Sequence, residues 1–431
     1  MSQMTLMLIV LIGTLLVCIF ARVPVFLSIA ISAIVFAFCF PRTMPFEILA
    51  QGLVQGMNSF SFAGIAFFFF MGEIMSAGGI AERMIDFFRT AVGWVRGGLS
   101  HVNVLTSMMF AGTSGSAMTD TVTTCNMLVP TMIKNGYPAE YSVAVTIATS
   151  TVGPIIPPSS ALILMALYTQ SNVRNCLLGG LVPGICMGLF MLTVSIIQSK
   201  RRQFPKDRWQ GLKALWLSFK RNFFALMMPV LIVICLTKGI GTVNEVGAIS
   251  VLYAIIVSCL IYKDLDFKGL LKACFSAAKS SAKLLCIICS AGIFTWIIGT
   301  IGLQSYLTRV LSPFIQHPTL LLMMCALIFF IAGMIVDHTI IQVIIAPLLA
   351  PLIRSAGIDM IQYCVMTVIV ATMGMVTPPV GVLIYVGSSI GKTSPVKVIK
   401  ELVPFIISLV LFVVVMILFP QMTTWFPYTF S

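Results

Sequence analysis

The feature that most constrains this chain is a succession of apolar runs, each long enough to cross a bilayer. One of the last reads FIISLVLFVVVMILF, Phe405 to Phe419, without a single charge. In hydrocarbon only a helix or a closed barrel satisfies its own backbone. Runs of roughly 17–20 residues ask for helices, whereas a barrel would show short alternating segments. Composition agrees: 59% of the residues are hydrophobic and 9% are charged, against about 25% charged in a soluble domain. The sequence therefore predicts an all-α integral membrane protein.

The runs place spans at about 4–20, 23–40, 60–76, 139–170, 176–198, 223–238, 245–262, 284–300, 360–391 and 403–420, which is about 10 full spans. Two further segments, about 99–133 and 318–353, are interrupted near their middles by small or polar residues and read as re-entrant hairpins. The opening MSQMTLMLIVLIGTLLVCIF has no basic leader and no small-residue cleavage site, so it reads as a retained span rather than a signal peptide.

The net charge of +13 invites a nucleic-acid reading, but the charge has a simpler origin. The stretch 200–222 holds Lys200, Arg201, Arg202, Lys206, Arg208, Lys213, Lys220 and Arg221 against Asp207. By the positive-inside rule it is cytoplasmic. Threading the spans outward from it leaves most other lysines and arginines on the same side. The charge is topological and calls for no nucleic-acid partner. Two basic segments, Ala81–Arg96 and Lys263–Lys283, are expected to lie on the inner surface against lipid headgroups.

The linker at 200–222 divides two copies of one design, 1–199 and 223–431. At a single offset of 221 residues, Gly112 falls on Gly333, Pro130 on Pro351, Thr146 on Thr367 and Gly153 on Gly374. Pro157-Pro158 falls on Pro378-Pro379, and Leu181-Val182-Pro183 on Leu402-Val403-Pro404. An odd number of spans per copy turns the second upside down, giving an inverted repeat, an architecture common among secondary transporters.

Each copy then contains a hairpin and a broken span: 99–133 with 139–170, and 318–353 with 360–391. The broken spans read GPIIPPS, Gly153–Ser159, and GMVTPPVG, Gly374–Gly381. A proline removes an amide donor and frees the carbonyl one turn earlier. Irregular backbone at membrane depth persists only where it is buried in protein or lines a cavity. Freed carbonyls near Gly153 and Pro154 are hard neutral oxygens suited to a small monovalent cation. The half-helix N-termini after each break suit an anion. The hairpin tips, AGTSGSAMTD (Ala111–Asp120) and GMIVDHT (Gly333–Thr339), add hydroxyl and carbonyl oxygens. Two cation sites flanking one substrate site are expected.

A carboxylate at membrane depth is costly and points to function. Asp337 either helps a cation site or caps the returning half-helix, and the residues leave both open. Asp120 reads first as a cap of the helix after the first tip. His338 is either a satisfied polar residue in a wet cavity or a substrate contact. Glu73 is expected to make a structural interaction near the cytoplasmic face. Most of the 12 cysteines sit in apolar runs, and the C-x-x-C of Cys286 and Cys289 has no matching pair, so packing is expected.

The combination SGSAMTD, IATSTVGPIIPPS, GMIVD and TPPVG, with FFFFMGEIMSAGGIAERM near the start, resembles the large permease subunit of tripartite ATP-independent periplasmic (TRAP) transporters over nearly the whole chain. The resemblance implies an elevator-type, ion-coupled transporter in the bacterial inner membrane rather than an enzyme. Its cargo would be an organic acid of the dicarboxylate, sugar acid or sialic acid class, delivered by a periplasmic solute-binding protein. It also implies a small four-span membrane subunit, expected as a separate chain, and sodium ions as coupling ions with no other cofactor. By the same resemblance a first sodium site maps to Ser114, Ser116, Gly153, Ile156 and Pro158. A second maps to Gly333, Asp337, Gly374, Thr377 and Pro379. Thr119, Asp120, Ser159 and His338 are the substrate candidates. The sequence departs from the family at His338 and at GTVNEVG, Gly241–Gly247. No G-x-x-x-x-G-K-S/T loop is present to use ATP.

Two other readings compete. One is a self-sufficient sodium/anion symporter of the same fold that needs no binding protein. The other is an intramembrane aspartyl protease using Asp120 and Asp337. Their contexts, Ala-Met-Thr-Asp and Ile-Val-Asp-His, lack the Gly-x-Gly-Asp signature such enzymes usually carry.

Overall fold

In lipid each backbone group must find a partner within its own segment, so the chain is built of helices. The structure is a computed structural model, and it describes residues 3–21, 23–41, 43–57 and 61–430 of the 431. Among the described residues there is no strand. The helices are α1 (Gln3–Phe20), α2 (Val25–Cys39), α3 (Phe46–Met57), α4 (Ser61–Ala77), α5 (Ile80–Val92), α6 (Gly98–Ser114), α7 (Ala117–Lys134), α8 (Ala139–Thr149), α9 (Ser160–Tyr168) and α10 (Val173–Arg201). Then follow α11 (Leu212–Lys238), α12 (Val243–Ile255, continued as a π-turn to Ile261), α13 (Phe267–Ile301), α14 (Leu303–Leu311), α15 (Pro318–Ile335), α16 (His338–Ser355), α17 (Met360–Gly374), α18 (Val382–Ile390), α19 (Pro395–Leu418) and α20 (Gln421–Phe430).

The offset seen in the sequence also spaces these elements. Adding 221 to the bounds of α7 gives those of α16, and α6, α8, α9 and α10 fall on α15, α17, α18 and α19 to within a few residues. The short helix α5 falls on α14. In the first half α3 and α4 are separate helices, whereas in the second half their counterparts are fused into α13, which is 35 residues long. The sequence predicts a basic arm over 263–283 and a separate span from 284. The structure has one helix instead, because no proline interrupts 267–301 and the lysines project from its surface.

Eight helices among the described residues are long and apolar enough to cross a membrane, or nine if α4 and α5, bent by 64°, form one span. The sequence predicts about 10. Four of the expected spans fall short, α2 at 15 residues, α4 at 17 and the two broken segments, while the hairpin arms α15 and α16, not counted as spans in the sequence, are long enough at 18 residues each. The first broken segment divides at its Pro-Pro into α8, 11 residues long, and α9, 9 residues long, and the second into α17 and α18. None of these four helices reaches span length alone.

The elements form two packed groups. α1 and α2 pack on each other and on α13 around Leu11, Phe36, Phe294 and Ile297. α4 joins α12 and α13 in the same group. The second group holds the hairpins α6–α7 and α15–α16, the broken segments, and α10 and α19. The groups meet where α5 and α4 pack on α6, where α4 packs on α9 and where α13 and α14 pack on α16, and the core of α4 and α12 runs on into that of the second group.

The connecting parts are anchored by polar contacts. GTVNEVG opens α12 with a capping box between Thr242 and Glu245. Arg83 on α5 pairs with Asp264 at 2.7 Å and lies over the Tyr262 ring. Arg89 pairs with Asp207 at 2.9 Å, and Trp94 meets Trp209 edge-on. The basic linker is thereby folded back on the α5 region. At the other end of α10, Arg174 donates to the carbonyls of Leu236 at 2.7 Å and Thr237 at 3.0 Å, which end α11, and to Phe430 at 3.0 Å, which ends α20. Arg174→Ala is expected to cost about 1–3 kcal/mol and to speed hydrogen exchange over 421–430. Unchanged exchange there would show that apolar packing of α20 on α10 suffices.

Candidate functional site

The two hairpin tips are built alike. α6 ends at Ser114, Gly115 turns in the left-handed region at φ 58°, and Ser116 starts α7. α15 ends at Ile335, and Asp337 is the N-cap of α16, its Oδ1 accepting the Thr339 N–H at 2.9 Å. Ser116 and Asp337 therefore occupy the same place in the two copies. Asp337 is a cap; its other oxygen leaves room for a second role. The side chain of Ser114 lies outside the described residues.

Each tip docks on the break of its own copy. A Cβ added at Gly115 would lie 2.6 Å from Ser160 N, and the Ser160 hydroxyl donates to the Gly115 carbonyl at 2.9 Å. A Cβ on Gly153 would sit 1.7 Å from Asp120 Oδ2. In the second copy the approach is backbone on backbone. A Cβ on Gly333 would lie 2.5 Å from Ala371 O, and one on Gly374 would lie 2.5 Å from Gly333 C. The Gly381 N–H closes the second break by donating to Met334 O at 3.2 Å. Both Pro157-Pro158 and Pro378-Pro379 are cis.

The carbonyls freed by the prolines are partly taken. The Ser159 hydroxyl donates to Pro154 O and accepts the Leu162 N–H at 3.0 Å, capping α9. Gly374 O accepts the Thr377 N–H at 2.9 Å, and the Thr377 hydroxyl donates to Met373 O at 2.8 Å. A carbonyl has two lone pairs, so each can still meet a cation. The oxygens gathered at the breaks are carbonyls and hydroxyls, with the Asp120 carboxylate at the first. Among the described residues no group of three or more His, Cys, Asp or Glu converges. Such a donor set fits a hard monovalent cation and not a transition metal. Gly153, Ile156, Pro158, Gly333, Gly374 and Thr377 are buried around these breaks, whereas Pro379 is exposed.

A cavity of about 450 Å³ opens between the tips and the first group of helices. The tips contribute Ser116, Thr119, Asp120, Asp337 and His338, and the start of α9 adds Ser160. The opposite wall is α4, with Phe69, Glu73 and Ser76, and α13, with Ser280 and Lys283. Of the substrate candidates, Thr119, Asp120 and His338 therefore line one cavity. Ser159 does not: it is fully buried and caps α9, so its neighbour Ser160 faces the cavity instead. The start of α9 lines the cavity, with its Leu162 N–H already bonded to Ser159, and the start of α18 does not line it.

The structure also corrects Glu73 and adds Lys283. The sequence assigns Glu73 a structural contact at the cytoplasmic face and Lys283 to a surface arm, yet both face the cavity. A signal exists for Lys283, which immediately precedes the apolar run 284–300. The fusion of α13 that brings this exposed lysine to the edge of the cavity is not visible in the sequence. Nor is a ladder of hydroxyls and amides. Asn103 donates to Thr146 at 2.6 Å, Thr149 to Asn103 at 3.2 Å and Ser107 to Thr149 at 3.0 Å, which ties α6 to α8 just below the break.

Comparison with known proteins decides the family. Residues 12–422 match the family described as "Tripartite ATP-independent periplasmic transporter, DctM component". The chain belongs to the TRAP transporter large permease family. It is 33% identical over 363 residues to the 2,3-diketo-L-gulonate TRAP transporter large permease protein YiaN of Escherichia coli, covering 84% of this chain and 85% of that one. It is 29% identical to the C4-dicarboxylate TRAP transporter large permease protein DctM of Vibrio cholerae over 94% of both chains. The sialic acid TRAP transporter large permease protein SiaM of the same species is 26% identical, over 95% of this chain and 96% of that one. In fold the chain is similar to the YdaH transporter of Alcanivorax borkumensis, with a TM-score of 0.61 at 13% identity, covering 87% and 89% of the two chains. This TRAP permease is thus a multi-pass membrane protein whose relatives are transporter subunits and not enzymes.

The tight backbone contact at the second break makes a test of packing. Gly374→Ala should cost about 1–3 kcal/mol, because the added carbon has rigid backbone rather than a movable side chain in its way. Gly299→Ala on α13 meets nothing within 4 Å and is the matched control. Thermal unfolding in detergent should separate the two, and equal melting temperatures would refute the contact.

Proposed function

We propose that this TRAP permease carries an organic acid anion across the bacterial inner membrane, driven by sodium, by an elevator motion of the hairpin-bearing helices. The observation that carries this reading is the cavity, which has both hairpin tips on one wall and α4 with α13 on the other. A substrate held there touches both helix groups. Sliding of one group past the other would change the side on which the cavity opens. The repeated element bounds support two copies of one unit, and the odd number of spans per copy expected from the sequence would set one upside down relative to the other.

Sodium would bind at the breaks: near Ser114, Ser116, Gly153, Ile156 and Pro158 in one copy, and near Gly333, Asp337, Gly374, Thr377 and Pro379 in the other. Each tip packs on its break, so a cation drawing those oxygens together would also hold the tip in the shape that completes the cavity. That contact is the means of coupling. One charge moving through 100 mV is worth about 2.3 kcal/mol, so two or more sodium ions per acid anion supply several times the thermal energy. The acid would arrive on a periplasmic binding protein, and a small four-span subunit would complete the transporter. The named cargoes of the relatives are a sugar acid, a dicarboxylate and sialic acid, and an acid of these classes is proposed here.

Uptake into proteoliposomes containing this chain, its small partner and the cognate binding protein tests the reading. Uptake is expected to require an inward sodium gradient, to rise with an inside-negative potential and to stop when the binding protein is omitted. Sodium-driven uptake without the binding protein would instead favour the self-sufficient symporter. Uptake driven by protons and indifferent to sodium would refute sodium binding at the breaks.

A further inference from the structure

The cavity holds several acidic groups and one lysine. Its charged lining is Glu73, Asp120, Asp337 and Lys283, with His338 beside Asp337. His338 Nδ1 lies 3.4 Å from Asp337 Oδ1, so a charge on this imidazole is already matched to that carboxylate. Lys283 differs. Among the described residues it has no hydrogen bond or ion pair, and Glu73 on the neighbouring α4 has none either. Both project into the cavity from the helices opposite the tips.

Helix ends supply little further positive potential. The start of α16 carries Asp337 as its cap, and α7 has Asp120 in its first turn. At α9 the Leu162 N–H is bonded to Ser159, and the tip backbone at Gly115 covers Ser160 N. An anion entering this cavity therefore finds one uncommitted cation and several hydrogen-bond acceptors.

From this arrangement, and resting on the transport reading above, we infer that Lys283 is the substrate-carboxylate contact and that the cavity takes a hydroxylated monocarboxylate, a sugar acid. The carboxylate meets Lys283. The hydroxyl groups donate to Glu73 and exchange hydrogen bonds with Ser76, Thr119 and Ser280, all of which line the same space. A second carboxylate on the substrate would face Glu73, Asp120 or Asp337 with no second lysine or arginine in the lining to pair with it. A neutral polyol would bring no anionic partner for Lys283 and would forgo that charge-assisted contact. The inference separates two functions of the site: the tips and breaks hold the coupling ions, and the opposite wall reads the acid.

The test is ligand-induced thermal stabilisation of the purified complex of this chain with its small partner, in sodium-containing buffer, with gluconate, succinate and glucose as probes. Gluconate is expected to raise the melting temperature in a saturable way, with succinate and glucose weaker by roughly tenfold or more. Lys283→Gln should abolish the gluconate shift, while Lys283→Arg should keep it. Folding of each variant is checked by its melting temperature without ligand. A covalent charge test guards against indirect effects: Lys283→Cys should regain the gluconate response after an aminoethyl thiosulfonate restores a positive group, and not after a sulfonatoethyl reagent. A succinate shift equal to that of gluconate, a gluconate shift surviving in Lys283→Gln, or no shift with gluconate in the native chain would each overturn the proposal. Binding-protein-dependent uptake by the native chain is scored separately, so loss of this inference leaves the family-level reading standing, and failure of uptake would remove that reading instead.

Discussion

The constraint on which this structure depends is the cost of an unpaired backbone group in hydrocarbon, several kcal/mol for each. The two Pro-Pro sequences interrupt the helical pairing, and the rest of each copy is arranged to contain the damage. At the first break the Ser159 hydroxyl bridges Pro154 O and the Leu162 N–H, and the ladder through Asn103, Thr146 and Thr149 holds the helix before it. At the second, the tip backbone comes so close to Gly374 that neither Gly333 nor Gly374 has room for a side chain. What remains is a set of oxygens with spare lone pairs, buried in protein.

The two copies reach this geometry by different chemistry. Ser116 stands at the start of the returning helix at one tip and Asp337 at the other. The carboxylate that presses on Gly153 comes from Asp120, one turn into α7, whose counterpart at the same offset is the apolar Ile341. Each tip thus carries one carboxylate in the first turn or cap of its returning helix, supplied from a different helical position. Pro158 is buried whereas Pro379 is exposed, so the two proposed ion sites have unequal surroundings despite their matching places in the repeat.

Much of this is legible in the amino-acid sequence. The apolar runs specify helices, the Pro-Pro pairs specify breaks, and the glycines at 153, 333 and 374 mark the close approaches, because each of these features acts within a few residues of itself. The tips are legible for the same reason: a Gly-Ser pair or an aspartate between two apolar half-helices leaves the chain few alternatives. The opposite wall of the cavity is not. Glu73 and Lys283 sit far apart in sequence, and only the packing of α4 on α13 brings them to one space. The fusion that makes α13 continuous is hidden because lysine-rich residues look the same in a surface arm and in the projecting end of a long helix. Ser159 and Ser160 are hard to tell apart because the N-cap and the first residue of a helix differ by about 100° in direction, which sequence adjacency conceals.

The length of α13 has a consequence of its own. At 35 residues and about 1.5 Å per residue it is roughly 50 Å long, while the hydrocarbon layer is about 30 Å thick. Only its uncharged run from residue 284 onward matches that layer, so the first half of the helix must lie outside the hydrocarbon. That half carries Lys268, Lys272 and Lys279, which belong among headgroups and are drawn there by anionic lipid, and Lys283 stands at the boundary between the two parts. The depth of Lys283 below the membrane surface is then registered by the lipid itself, so a bilayer poorer in acidic headgroups, or of different thickness, would shift where along the normal the cavity wall presents its one positive charge.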